Sequence, residues 1–259
     1  MKIPIYQVDA FTDRIFGGNP AAVCPLEEWL APELMQNIAA ENNLSETAFF
    51  VKKDRIFELR WFTPATEVDL CGHATLASGH VLYSHLGYTE DRIAFSTMSG
   101  EVGVTRSDGR LVLDFPATPP SPAEIKEELI RGLGREPKEA LKSRDYLAVF
   151  DNEDEILTLQ PDFSVLRKLD CLGIIVTAEG KGSDFVSRFF APAVGINEDP
   201  VTGSAHTTLV PFWSERLKKN SLHAFQLSRR RGELFCQYSG DRVKIGGHAV
   251  TFFTGEIIL

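Results

Sequence analysis

Along this chain, blocks in which apolar and polar residues alternate give way to blocks in which apolar residues recur every three or four positions. "IYQVDAF", near the N-terminus, has the two-residue period of a strand, and "TAFFVKK" and "IFELRWF" read the same way. Between the first two lies "PELMQNIAAENN", apolar at helical spacing with Pro32 near its start. A run of small residues from Ala74 to Gly79, continued by Val81, Leu82 and Leu86, predicts a helix that other elements must wrap, closed by Gly87. "RIAFSTM", "EVGVTRS" and "RLVLDF" then predict short strands separated by Ser-Gly and Asp-Gly turns.

This order of elements is written twice. "RWFTPATEVDLCGHATL" from Arg60 and "RFFAPAVGINEDPVTGSAHTTL" from Arg188 both open Arg, aromatic, Phe, one residue, Pro, Ala. Both continue to an Asp (Asp69, Asp199), a Gly (Gly72, Gly203) and a run of Ala, His and Thr. The offset is 128 at the arginines and 131 at the glycines, so the second copy carries a few inserted residues. "AFSTMSGEVGVTRSDGRLVL" from Ala94 parallels "AFQLSRRRGELFCQYSGDRVKI" from Ala224, and "SETAFFV" from Ser45 falls opposite "LGIIVTA" from Leu172. The repetition predicts two similar halves packed about a pseudo-twofold axis, each made of several strands around one small-residue helix. That is an α+β class and not a doubly wound one. The Pro-rich stretch "FPATPPSP", 115–122, has the composition of a linker, giving halves at 1–117 and 118–259. Pro211 interrupts the second helix and predicts a kink or an early turn there.

Composition narrows the function classes. With 27 Lys plus Arg against 36 Asp plus Glu, the formal charge of −9 argues against a nucleic-acid partner. The one basic run, Arg229–Arg231, reads as a solvated strand end. The first residues, "MKIPIYQVDAF", lack the apolar core and cleavage site of a signal peptide, and no apolar run approaches the ~20 residues of a membrane span. The four cysteines, Cys24, Cys71, Cys171 and Cys236, show no paired spacing. Reduced thiols in the cytoplasm are the expectation.

The chemistry is expected where the two copies begin their helices. A helix start has unpaired backbone N–H groups and partial positive charge. Gly72-His73 and Gly203-Ser204 are either ordinary caps or a pair of sites for a carboxylate or developing oxyanion. The copies also differ. Glu46, beside strand-forming residues, falls opposite Gly173; it is either an exposed strand start or an acid in apolar surroundings suited to proton transfer. His73 and Asp199 add two titratable groups at the two helix entrances. Cys71 has no cysteine counterpart, since Thr202-Gly203-Ser204 stands in the second copy, so a two-thiol racemase is excluded and Cys71 reads as a small buried residue. A metal site of Cys71, His73 and His80 lacks a second ligand pair, and none is expected.

"GGNPAAV" (17–23), "NLSETAF" (43–49), "DLCGHATLAS" (69–78) and "EDPVTGSA" (198–205), in this order, resemble the PhzF-like family of phenazine-biosynthesis isomerases, over essentially the whole chain. The resemblance implies a diaminopimelate epimerase-like fold: two half-barrels, each a strongly curved sheet around a central helix, with the active site in the cleft between them, and commonly a homodimer. It implies isomerisation of a dihydro-hydroxyanthranilate-like carboxylate by moving a proton between carbons, without cofactor or metal. Glu46 would carry the proton, and His73 and Asp199 would hold and polarise the substrate's amino and hydroxyl groups. Ser45, Gly72, Gly203 and Ser204 would anchor the carboxylate and neighbouring polar atoms, with Asn19 structural or supporting. Two alternatives stand beside this reading. One is a one-thiol epimerase or racemase using Cys71; the other is a small-molecule-binding protein that has lost the chemistry.

Overall fold

A computed structural model of the chain describes residues 1–259, which form two compact units. One contains Met1–Asp114 and Gly246–Leu259; the other is Phe115–Ile245. The architecture is mixed α/β.

The first unit is built from β1 (Lys2–Ala10), β2 (Asn19–Leu26), α1 (Pro32–Asn42), β3 (Glu46–Lys53), β4 (Ile56–Phe62), β5 (Glu67–Val68), α2 (Gly72–Ser84), β6 (Arg92–Thr97), β7 (Gly100–Ser107) and most of β8 (Arg110–Pro116). Pairing is antiparallel for β1–β2, β3–β4, β6–β7 and β7–β8. It is parallel for β2–β3 and β4–β6, the two steps that α1 and α2 bridge, as a parallel pair requires a crossover.

The second unit has β9 (Ser121–Ala123), α3 (Glu127–Leu133), β10 (Glu139–Lys142), β11 (Tyr146–Val149), α4 (Glu153–Thr158), α5 (Phe163–Leu166), β12 (Ile174–Glu179), β13 (Phe185–Phe190), α6 (Gly203–Leu217), β14 (Ser221–Gln226), β15 (Gly232–Ser239) and most of β16 (Arg242–Gly247). Its pairing repeats the same alternation: β10–β11, β12–β13 and β14–β15 antiparallel, β11–β12 and β13–β14 parallel. The repeat read from the sequence is thus a repeat of topology. It extends to side chains. Arg60 Nε and Nη2 hold Glu67 at 2.6 and 2.7 Å, and Arg188 Nε and Nη2 hold Glu198 at 2.7 and 3.0 Å. Each guanidinium also lies over a Phe two residues on, Phe62 at 5.2 Å and Phe190 at 5.0 Å. Both clamps pin the segment that leads into a central helix.

Three expectations are corrected. The division into 1–117 and 118–259 misplaces residues 246–259. The last strand, β17 (Ala249–Ile258), pairs antiparallel with β1 over its whole length and belongs to the first unit. The Pro-rich stretch is not a free linker: Ala117 N–H donates to the Asp241 carbonyl at 2.8 Å, and Ser121–Ala123 pairs with β10. The early turn expected at Pro211 does not occur, and α6 runs on through it to Leu217. The helix bond it cannot donate leaves the Thr207 carbonyl without its usual donor, and Thr118 N–H supplies one at 3.0 Å. The Thr118 hydroxyl then meets those of Thr207 and Thr208 at 2.7 and 3.0 Å.

Both central helices are buried nearly all round. α2 packs against β1, β2, β3, β7 and β17, and its small residues allow the approach: a Cβ on Gly79 would sit 2.8 Å from Val104 Cγ1. In α6, Trp213 stacks on Phe185 at 5.8 Å and donates its Nε1–H to Thr177 Oγ1 at 2.9 Å. A fully buried aromatic of this kind contributes on the order of 1.5–3 kcal/mol. One turn from the start of α6, His206 Nδ1–H donates to the Thr202 carbonyl at 2.9 Å, as Thr75 Oγ1 in α2 donates to the Cys71 carbonyl at 2.5 Å. His206 Nε2 has no partner, and burial, only partly opposed by the Thr202 bond, lowers its pKa to about 4.

A histidine depressed in this way is neutral when folded and takes a proton when unfolded, so stability falls as pH drops from the ordinary value of 6.5 toward 4. Across that window the loss amounts to about 3 kcal/mol. His80, lowered to about 4 by burial and by His85, acts in the same direction. Thermal unfolding between pH 7 and pH 4.5 is expected to show a smaller fall in Tm for H206N than for the parent, since Asn keeps the donor to Thr202 and cannot titrate. Equal falls would remove His206 from the account.

Candidate active site

In the first unit, Glu46 opens β3 and pairs with Ala21 of the parallel strand β2, which Asn19 opens two residues earlier. His73 is the second residue of α2, and Cys71 is its N-cap. The strand ends and the helix start therefore deliver four side chains to one place. His73 Nε2 lies 3.0 Å from Glu46 Oε2, and its Nδ1 lies 3.2 Å from Asn19 Nδ2 and 3.5 Å from Cys71 Sγ. Ser45 Oγ donates to Asn19 Oδ1 at 3.2 Å, which turns the Asn19 amide nitrogen toward the imidazole. Glu46, His73, Cys71 and Asn19 are all buried.

This geometry orders the protons. In the neutral ring Asn19 can donate to Nδ1, which puts the hydrogen on Nε2, facing Glu46; in the imidazolium both nitrogens carry hydrogens and Nδ1 no longer accepts. Burial works against the imidazolium, but the Cys71 sulfur and the Glu46 carboxylate outweigh it, and the His73 pKa is held well above its ordinary value. Burial, reinforced by the Glu46 charge and opposed by His73, pushes the Cys71 thiol up, so it stays protonated near neutral pH. A protonated thiol carries no charge, which leaves Glu46 as the group that sustains a positive His73. The Glu46–His73 approach is an ion-pair contact without hydrogen-bond alignment. Both facing atoms are shielded from solvent with their hydrogen-bonding capacity unspent.

The difference between the copies has a steric basis. Thr47 pairs with Phe62, and Ile174 with Phe190, so the pairing register puts Gly173 where Glu46 stands. A Cβ on Gly173 would lie 2.2 Å from Phe189 Cζ. The second copy has filled with an aromatic ring the space that the first gives to a carboxylate.

In the second unit, Asp199 and the start of α6 form another polar cluster. Thr202, the N-cap, donates its hydroxyl to Asp199 Oδ2 at 2.5 Å and so does not cap the helix. Gln226, fully buried, accepts from Thr202 N–H and donates to the Asp199 carbonyl, both at 2.8 Å. Ser204 Oγ accepts from Arg144 Nη2 at 3.1 Å. Neither α2 nor α6 has a side-chain cap or an acidic residue in its first turn. Both starts, Gly72 and Gly203-Ser204, therefore keep unneutralised N–H groups and can receive an anion. Gln226 and Arg144 were not singled out from sequence. Gln226 lies in the repeated segment from Ala224 without a motif of its own, and Arg144 lies outside the repeated segments.

One atom each from Glu46, Cys71 and His73 lie within 4.8 Å of one another and are the donors a metal ion could use. The sulfur and the carboxylate sit beside opposite ring nitrogens, so one ion takes all three only if the ring turns. His80, the third member of the cation site weighed from sequence, is engaged elsewhere, 2.9 Å from Thr251 Oγ1.

The chain has relatives over its full length. The profile of the phenazine biosynthesis-like protein family, PhzC-PhzF, matches residues 8–255. An uncharacterized isomerase of Pseudomonas aeruginosa is 52% identical over 259 residues, covering 100% of both chains. The crystal structure of a PhzF-family phenazine biosynthesis protein from Enterococcus faecalis superposes with a TM-score of 0.98 at 48% identity, again over 100% of both chains. A hydroxyproline epimerase from Agrobacterium vitis, at 10% identity and TM-score 0.63 over 99% of this chain and 92% of its own, shares the fold alone. With the Ser-Glu and Cys-Gly-His segments meeting around one buried imidazole, and with these likenesses end to end, the chain belongs to the phenazine biosynthesis-like PhzF family.

Proposed function

We propose that this protein is an isomerase that moves a proton within a small carboxylate substrate of the dihydro-hydroxyanthranilate kind, by general acid/base catalysis and without cofactor or metal. The observation that carries the reading is the buried Glu46–His73 pair, 3.0 Å apart, with unspent hydrogen-bonding capacity on both atoms. Glu46, as carboxylate, takes the proton from one carbon and, as acid, returns it to another carbon of the conjugated system; no electron leaves the substrate. His73 holds the proton inventory beside Glu46 and polarises the substrate's amino or hydroxyl group. Asp199, fixed by Thr202 and Gln226, has the matching holding role, and Ser45 acts on the substrate or through Asn19. The open helix starts at Gly72 and at Gly203-Ser204 are assigned the carboxylate and the charge that develops on it.

The curved half-barrel belongs to the same proposal. α2 touches both β17 and β7, which lie at opposite flanks of the ladder β17-β1-β2-β3-β4-β6-β7. A flat sheet would place those flanks roughly 29 Å apart, more than the about 20 Å length of such a helix. Names borne by relatives, an uncharacterized isomerase among them, agree with the reaction class.

With trans-2,3-dihydro-3-hydroxyanthranilate as substrate, E46Q is expected to lower turnover by about 10²–10⁴ while leaving the affinity for 3-hydroxyanthranilate unchanged. Parental turnover in E46Q would defeat the assignment. C71A is expected to stay within about tenfold of the parent in incorporation of solvent deuterium into product, because a protonated buried thiol is a poor base. Complete loss of that exchange in C71A would favour the one-thiol epimerase instead.

A further inference from the structure

We propose that a cavity at the C-terminal end of α6 binds a small organic cation, a primary ammonium on a flat apolar body such as an arylalkylamine, with the Glu215 carboxylate as its counter-ion. The site stands apart from the reaction proposed above. Ser214 follows Gly203 by eleven residues, roughly 16 Å along the helix axis.

The cavity has a volume of about 350 Å³ and lies wholly in the second unit. Its apolar lining includes three proline rings (Pro119, Pro120 and Pro211) together with Phe212 and the Tyr238 ring. This wall is preformed. Thr118 N–H donates to the Thr207 carbonyl of α6 at 3.0 Å, pinning the residue before Pro119, and Ser121 pairs with Lys142, pinning the residue after Pro120. The bond that keeps α6 intact around Pro211 thus also fixes the other two prolines. Tyr238 N–H is joined to the Asn220 carbonyl at 2.8 Å. A wall held in this way needs little ordering when a ligand arrives.

Four polar groups at the cavity are uncommitted. Ser214 is 4% exposed and its Oγ has no hydrogen-bond partner. The other buried hydroxyls of α2 and α6 all have one: Thr75 in Cys71, Ser78 in Ala74, Thr207 in Ser204 and Thr208 in Thr118. The Glu215 carboxylate, the Asn220 amide and the Tyr238 hydroxyl also make no hydrogen bond or ion pair. The cations nearest to Glu215 in sequence are engaged elsewhere or unpaired. Arg216 pairs with Glu139, Lys219 Nζ holds both oxygens of Asp184 at 2.6 and 2.8 Å, and Lys218, the left-handed C-cap, makes no ion pair.

The charges select the ligand. Carbonyls of the last turn put partial negative charge on this end of α6, and Glu215 adds a full one. An anion is therefore opposed, and a hard metal ion would find a single carboxylate. An ammonium has three donors and no acceptor, which suits a carboxylate flanked by hydroxyl and amide oxygens. The proline and aromatic faces favour a flat apolar body behind that charge.

The test is a titration of 2-phenylethylammonium chloride, and of its neutral counterpart 2-phenylethanol, into the full ¹⁵N-labelled chain at pH 7, where an alkylamine is protonated. Amide shifts are expected at Leu141, Ser214, Asn220 and Tyr238, with the ammonium bound about fivefold or more tightly than the alcohol. E215Q, at an exposed position, should bring the two affinities together while the rest of the spectrum stays unchanged. Equal affinities in the parent, a preference undiminished in E215Q, or shifts confined to residues outside the cavity would each overturn the proposal. So would the absence of any saturable shift up to about 10 mM ammonium. Turnover plays no part in these measurements, so their outcome is independent of the role of Glu46.

Discussion

A carboxylate and an imidazole held 3.0 Å apart out of contact with bulk water are the point on which the first unit is organised. Taking either charge out of water alone costs several kcal/mol, so each group depends on the other being present and correctly placed. Placement comes from rigid elements. Glu46 is fixed by the pairing of β3 with β2 and β4, and His73 by the packing of α2 against five strands. Asn19 and Ser45 set which imidazole nitrogen faces the acid. A flexible loop could not hold such a pair, because water would enter and each group would relax to its solution behaviour.

Duplication followed by divergence explains why such a site arises on this architecture. The two units keep the same alternation of parallel and antiparallel steps, the same Arg–Glu clamp and the same uncapped helix start. What differs is chemistry. Glu46 is replaced by Gly173, whose Cβ position the Phe189 ring occupies. His73 is replaced by Ser204, bound to Arg144, and Cys71 by Thr202, bound to Asp199. One copy presents a carboxylate beside an imidazole and the other a network of oriented polar groups with a guanidinium.

Much of this was legible in the chain as written. The helix at Gly72–Ser84 announces itself through small residues that only a buried, closely wrapped helix tolerates, and the Gly79–Val104 approach is the reason. The opposition of Glu46 and Gly173 could be read by aligning two strand motifs, because the aromatic positions paired with them hold the register. Less legible was anything that depends on a partner distant in sequence. Pro211 reads as a kink or an early turn because the chain alone cannot show that Thr118 will supply the missing donor to Thr207. The C-terminal strand reads as part of the second half because pairing with β1 spans almost the entire chain. Gln226 and Arg144 carry no local pattern and become visible only through the atoms they touch.

Sequence by itself determined the twofold repeat, the mixed α/β character, the buried central helices and the positions of Glu46, His73 and the two helix starts, because periodicity and motif spacing are local properties of a chain. Tertiary structure alone decided that Glu46 and His73 touch, that Cys71 stays a protonated thiol, and that Arg144 stands beside a positive helix end. Those outcomes turn on distance and desolvation, and both are set by which strands and helices meet after folding.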